Sequence, residues 1–378
     1  MMDSETAVES APTFVPGRVE RGRIRQFDGL RTWAISGVFF THYLMSHKDW
    51  LVVRLDPGYF GVRLFFVLSG FLITGILLNQ KTQTTSSKLT LGKALKLFYL
   101  RRMLRLSPIY YLTIVGGIFY FSAIREHPFA FLLYLQNYVF ILYPETFQSA
   151  VGHLWTLAIE EQFYLVWPLF IFLCPKARLP GAVAGITLFG ALVGFGLSVA
   201  GVNPHIAARV TPANFVTLGL GSLVAVLGSP VYGNDRLARK LSRAGILFGP
   251  VLLGVSILLT ELHFARRMVF ALKESGSALF FAWAIGQLSV RVPRSLHWAL
   301  LSVPVCYVGT ISYAVYLFHM PLIDVLDNGL LPWVGASPPD GWFRLFTYSG
   351  CSIGLAALSW WLIESRIAKF KDRLLRDG

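Results

Sequence analysis

PFAFLLYLQNYVFILY, residues 128–143, is apolar enough to enter a membrane and too short to cross one, and Pro128 and Pro144 bracket it. A crossing helix needs about 20 residues. Ten longer apolar stretches lie around it, at about 27–45, 59–79, 98–121, 154–174, 180–200, 211–229, 245–261, 268–288, 303–324 and 344–365. If 128–143 crosses, every later loop changes side. Lys and Arg decide between the two cases, because cytoplasmic loops carry the excess of positive charge. Without that crossing, 24 of the 34 Lys and Arg fall on the cytoplasmic side and eight outside, with Arg31 and Arg63 inside spans. With it, the split is 16 to 16 and the bias vanishes. The sequence therefore predicts an all-α polytopic membrane protein with ten transmembrane helices plus one short interfacial or re-entrant helix. Both termini are then cytoplasmic, and the protein is integral to the cytoplasmic (inner) membrane. A non-crossing segment at that depth has to be buried in protein.

Composition agrees. Of 378 residues, 54% are hydrophobic and only 14% charged, with a mean hydropathy of +0.57. Soluble domains carry roughly 25% charged residues, so this chain cannot cover a water-facing surface in the usual way. Soluble domains, a disordered chain, a coiled coil and a single span with a soluble domain are all excluded. The formal charge of +14 does not indicate nucleic acid, because the basic residues sit in short runs between apolar blocks. Cys174, Cys306 and Cys351 are too few and too scattered for a disulfide framework or a zinc cluster, and no metal is expected. Residues 1–24 are polar, contain Pro12, Pro16 and Gly17, and lack an apolar h-region. They read as a disordered cytoplasmic tail, not a signal peptide, followed by a membrane domain at 25–367 and a basic cytoplasmic tail at 368–378. No internal repeat with corresponding broken helices is present, which weakens a secondary-transporter reading.

Ionisable residues inside spans are costly and usually mark function. Arg31 and His42 share the first span, eleven residues or about 16 Å apart on a helix. Arg31 falls near the cytoplasmic end and His42 near the outer end. The plain alternatives are a snorkelling arginine and a headgroup-level histidine. Arg102 and Arg105, in RRMLRLSP, share a helix face and suit phosphate recognition, although a basic flank that orients the protein has the same composition. In GHLWTLAIEEQFY (152–164), Glu160 and Glu161 point about 100° apart, and Glu160 is the one taken to face inward, with Tyr164 four residues along its face. Ser312, Tyr316 and His319 share a face at i, i+4 and i+7, a pattern that interhelical hydrogen bonding also produces. Sorted by depth, His42, Glu160 and His319 gather in the outer half and Arg31, Arg102 and Arg105 at the inner end. That arrangement suggests a pore with reactive groups at one end and an anion site at the other.

FDGLR (27–31) followed by His42, GVRLFFVLSGFL (61–72), the Arg102/Arg105 run ending in Ser107-Pro108, LW to EEQFY (154–164), and SY to HMP (312–321) occur in this order over about 25–367. Together they resemble the membrane-bound acyltransferase 3 family. The resemblance implies a ten-span O-acyltransferase that moves an acyl group, commonly from acetyl-CoA, to a hydroxyl of a surface glycan, a lipid-linked sugar or a macrolide-type secondary metabolite. It implies roles for Arg31 and His42, for the Arg102/Arg105 pair and for Glu160. Two positions depart from the pattern. Arg63 stands where many members have Asp, and Glu364-Ser365-Arg366 replaces the commoner acid-x-Pro ending. The extra C-terminal hydrolase-like domain of some members has no room here, so a stand-alone form is expected.

On this reading Arg31, Arg102 and Arg105 hold the phosphates of acyl-CoA, and the pantetheine arm runs toward His42. His42 is the general base, Glu160 orients it, and His319, Tyr164 and Asn137 are candidates for binding the acceptor or an oxyanion. Direct transfer and an acyl-histidine both remain open. The competing class is a transporter or exporter with Glu160 and the histidines as a proton relay. A third is a receptor-like or structural membrane protein. The partners are thus acyl-CoA, a hydroxyl-bearing acceptor and membrane lipid, without nucleic acid.

Overall fold

The computed structural model describes residues 24–44, 56–261 and 266–374. Among them there is no β-strand, and ten helices make up the body. They are α1 (Arg25–Leu44), α2 (Pro57–Thr85), α3 (Leu91–Tyr120), α4 (Trp155–Leu173), α5 (Leu179–Val199), α6 (Phe215–Leu227), α7 (Asp235–Glu261), α8 (Arg266–Val290), α9 (Val303–Asp324) and α10 (Gly341–Ser359). Local chemistry sets several starts. The Asp56 carboxylate caps α2 by accepting from the Tyr59 amide at 3.3 Å, with Pro57 next. Thr90 caps α3 in the same way, accepting from Lys93 N at 3.3 Å.

Seven described segments are long and apolar enough to cross a membrane: Pro57–Thr85, Gly152–Leu173, Lys176–Val199, Asp235–Glu261, Met268–Val290, Val303–Trp333 and Gly341–Lys371. The protein is a multi-pass membrane protein. The other three expected ranges are also helical. α1 and α3 carry charges within their apolar runs, and the apolar helix Thr211–Leu227 is short. The tail expected at 1–24 lies outside the described residues apart from Ile24. At the other end the chain stays helical over Ser365–Leu374, into the range expected as a basic tail.

The decisive segment is not one continuous helix. It breaks into helices Pro128–Leu132 and Gln136–Leu142, joined through Tyr134 at φ +54°. Seven helical residues span only about 10 Å. Helix directions say the same. Ser69 meets Tyr164, Thr74 meets Trp167 and Lys81 meets Ile171, so α2 and α4 run in the same direction. Tyr99 meets Leu165 while Arg102 meets Glu161, so α3 runs against α4. A crossing between α3 and α4 would make those two helices parallel.

Polar side chains account for the buried backbone of this segment. Tyr110 and Tyr111 on α3 donate to the Phe131 and Leu132 carbonyls at 2.7 and 3.1 Å. Gln136, fully buried, donates to Leu154 O at 2.9 Å, and Arg209 donates to Phe140 O at 3.0 Å. The segment is thus held between α3, the start of α4 and the loop before α6, as irregular backbone at membrane depth requires.

Small residues allow the closest helix crossings. Gly70 and Gly221 place α2 backbone against α6 backbone, and Gly309 on α9 packs on the backbone of Asp28 in α1. A methyl group on Gly309 would overlap the Asp28 carbonyl. Gly309→Ala is therefore expected to cost about 1–3 kcal/mol through overpacking and to shift α1 along α9. Thermal unfolding of the purified protein checks it, and an unchanged Tm would mean that the two helices can part without loss.

Candidate functional site

α1 carries one half of each of two polar clusters. Asp28 and Thr32 lie at its contact with α9, Thr32 donating to Val305 O at 2.5 Å. One helix length further, His42 meets His319. α1 and α9 therefore run in parallel and bring two spans far apart in sequence into register at both ends.

The first cluster is three imidazoles. His42 Nδ1 is 2.9 Å from His319 Nε2, and the rings stack with centroids 5.0 Å apart. His319 is fully buried, and its Nδ1 lies 2.6 Å from the carbonyl oxygen of Tyr316. That carbonyl can only accept, so His319 Nδ1 carries a hydrogen. In neutral His319, Nε2 must then accept, and His42 Nδ1 donates to it. The consequence is a bare lone pair on His42 Nε2. His153, in the turn Gly152–Leu154 that opens α4, sits edge-on to His319 at 4.7 Å. Its Nε2 donates to Leu317 O at 3.3 Å, and its buried Nδ1 makes no hydrogen bond to a described residue. Tyr316 closes the cluster, donating to the His153 carbonyl at 3.2 Å and accepting from Thr156 at 2.9 Å.

The second cluster is cationic. Arg31 pairs with Asp28 at 2.8 Å. Arg102 lays its guanidinium over the Tyr164 ring, 3.2 Å from the centroid. Its buried Nε stands 3.7 Å from Glu161, within ion-pair range but too far for a hydrogen bond, and makes no hydrogen bond to a described residue. Arg105 is exposed and makes no hydrogen bond or ion pair among the described residues, yet it lies within electrostatic range of Arg31, Arg102, Asp28 and Tyr164. Three guanidinium groups so gathered, with donors not engaged by protein, match a phosphate-bearing ligand.

Two expected contacts are absent. Glu160 does not orient His42. It stands among Arg102, Arg31, Ser69 and Tyr164, with the cationic cluster. Seven residues separate it from His153, about 10 Å along the helix, which keeps it from the histidine cluster. Asn137 has no free amide for a ligand: its nitrogen donates to Arg209 O and Thr211 Oγ1 at 3.0 and 3.1 Å, and its oxygen accepts from Gln162 at 2.9 Å. It belongs to the scaffold of the non-crossing segment. Tyr164 donates to or accepts from Ser69 and lies under Arg102, in the cationic cluster.

Residues 24–364 match the sequence family described as "Acyltransferase domain". The chain belongs to this acyltransferase 3 family, a family of transferase enzymes. It is 30% identical over 376 residues to the peptidoglycan O-acetyltransferase OatA of Listeria monocytogenes, covering 93% of this chain and 57% of that one. It is 30% identical over 319 residues to the putative peptidoglycan O-acetyltransferase YrhL of Bacillus subtilis, with 78% and 48% covered. With O-acetyltransferase OatA of Staphylococcus aureus the figures are 27% over 339 residues, 84% and 52%. The chain thus spans about half the length of the curated relatives it matches. No solved structure matches it.

Within this acyltransferase fold, the arginine that departs from the family pattern has a structural partner. Arg63 is 1% exposed and pairs with Glu274 on α8, with Tyr59, Phe66 and Trp155 around its guanidinium. His153 was not singled out from the sequence. The signal was present, an ionisable residue at the entry of an apolar helix, but its meeting with His319 depends on how α4 sits against α9. Among the described residues no group of three or more His, Cys, Asp or Glu is placed to hold a metal.

Proposed function

We propose that this acyltransferase moves an acetyl group from acetyl-CoA to a hydroxyl of a glycan, across the cytoplasmic membrane, with ten crossings and both termini in the cytoplasm. The observation that carries the chemistry is the line Tyr316 O, His319, His42, which leaves one imidazole nitrogen on His42 free to take a proton. The cationic cluster supports a donor bearing phosphates, and the names of the relatives support acetyl transfer to a glycan. Arg31 and His42, about 16 Å apart along α1, match a donor held by its phosphates with its thioester reaching toward the histidines.

In the step that follows, the acceptor hydroxyl oxygen attacks the thioester carbonyl while His42 Nε2 takes its proton. The carbon–sulfur bond breaks, and the thiolate leaves and recovers the proton from the His42 imidazolium. His319 holds His42 in the required tautomer and shares the positive charge through their hydrogen bond, the part a carboxylate plays in other base assemblies. Glu160 and Glu161 balance the arginines until the donor phosphates arrive.

The test is incubation of purified protein with acetyl-labelled CoA and peptidoglycan fragments, native glycans, lipid-linked sugars or secondary metabolites. Label is expected on a glycan hydroxyl. Label that stays on CoA with every acceptor would overturn the reading, and label on a lipid-linked sugar or a macrolide would redirect the acceptor. Substrate flux in vesicles without CoA consumption would point instead to a transporter.

A further inference from the structure

Away from both clusters, a cavity of about 260 Å³ opens where α2, the turn after α4 and the loop after α6 meet. Lys81, Thr82, Thr85 and Ser86 line it from α2, with Lys176 and Tyr232 opposite. Lys81 is only 8% exposed, and its ammonium donates to main-chain carbonyls alone, Ile171 at 2.7 Å and Cys174. These are end carbonyls of α4, which lack partners within the helix. They satisfy the lysine's hydrogen bonds and leave its charge uncompensated. Lys176 at the mouth is exposed and makes no hydrogen bond to a described residue. No carboxylate lines the cavity. The Thr82 hydroxyl donates to Leu78 O at 3.0 Å, and the Tyr232 hydroxyl lies 3.4 Å from the Thr82 oxygen.

Two ammonium groups and no acid in the lining define an anion site. We propose that this cavity binds a phosphate group, as a second site separate from the arginine cluster. Lys81 lies twelve residues, about 18 Å along α2, from the Ser69 that touches Tyr164. The cavity is smaller than the roughly 300–1,000 Å³ of sites for drug-sized ligands, so it takes a phosphate and its neighbouring atoms, not a whole cofactor. Two sources share that chemistry: the 3′-phosphate of the CoA donor, which rests on the function proposed above, and the headgroup phosphate of an anionic phospholipid.

The test compares wild type with Lys176→Glu in nanodiscs. Lys176 is exposed and unbonded, so the variant keeps its fold, and Lys176→Gln separates loss of the cation from added negative charge. One arm measures Kd for CoA and for dephospho-CoA in phosphatidylcholine. The other measures Tm as phosphatidylglycerol replaces phosphatidylcholine. If the donor fills the cavity, wild type binds CoA about tenfold more tightly than dephospho-CoA and Lys176→Glu abolishes the difference. If lipid fills it, the two nucleotides bind alike, and phosphatidylglycerol raises the Tm of wild type but not of the variant. Wild-type behaviour by both variants in both arms overturns the site. A wild type that binds neither nucleotide ends the donor reading, and the lipid arm alone then decides the cavity.

Discussion

His42→Ala is expected to lose transfer activity by about 100- to 10,000-fold, the range for removing a positioned general base. Insertion and donor binding are expected to stay near wild type. Among the described residues His42 is hydrogen-bonded through one nitrogen, to His319, and Arg31, one of the arginines that would hold the donor, lies about 16 Å away along α1. His319 acts through His42, so His319→Ala should cost less, and His319→Gln, which keeps an acceptor for the His42 N–H, should recover part of the loss. Turnover of acetyl-labelled CoA, measured beside CoA affinity, separates the chemical step from binding. Near-wild-type turnover by His42→Ala would remove this histidine from the mechanism. Glu160→Gln should follow donor binding and not the chemical step, because Glu160 stands with Arg31 and Arg102.

The other large effect is expected on affinity. Arg102→Ala should weaken CoA binding by about 10- to 100-fold, since a hydrogen bond to a charged group is worth roughly 1.5–3 kcal/mol. Its guanidinium is held in place by the Tyr164 ring, and its Nε, 3.7 Å from Glu161, makes no hydrogen bond to a described residue, so it is preorganised with donors to offer. Arg101→Ala is the control. Arg101 is exposed, one residue earlier and about 100° around the helix, and CoA affinity should not change. Equilibrium binding to purified variants reads both. Equal loss from Arg101 and Arg102 would mean that net charge alone attracts the donor, and no loss from Arg102 would remove the inner anion site.

Much of this was legible in the sequence where the deciding quantity is local. Hydropathy and charge are properties of a stretch, so they delimited the helices and set 128–143 apart from the longer ones. Spacing on one helix likewise put Arg31 and His42 at different depths and gave Ser312, Tyr316 and His319 a common face. The alternating helix directions also brought His42 near the level of His319 before any contact was known.

Partnership across helices was another matter. Whether Glu160 faces a histidine or an arginine depends on the rotation and tilt of α4, which packing against neighbours decides. The same rotation hid His153 and made Asn137 look available until Gln162, Thr211 and the Arg209 carbonyl surrounded it. By itself, then, the sequence determined a multi-pass helical protein, the short apolar segment within it and the family to which it belongs. Only the tertiary structure decided which polar groups meet, because hydrogen-bond geometry within a fraction of an ångström is set by the neighbouring helix and not by the residue's own.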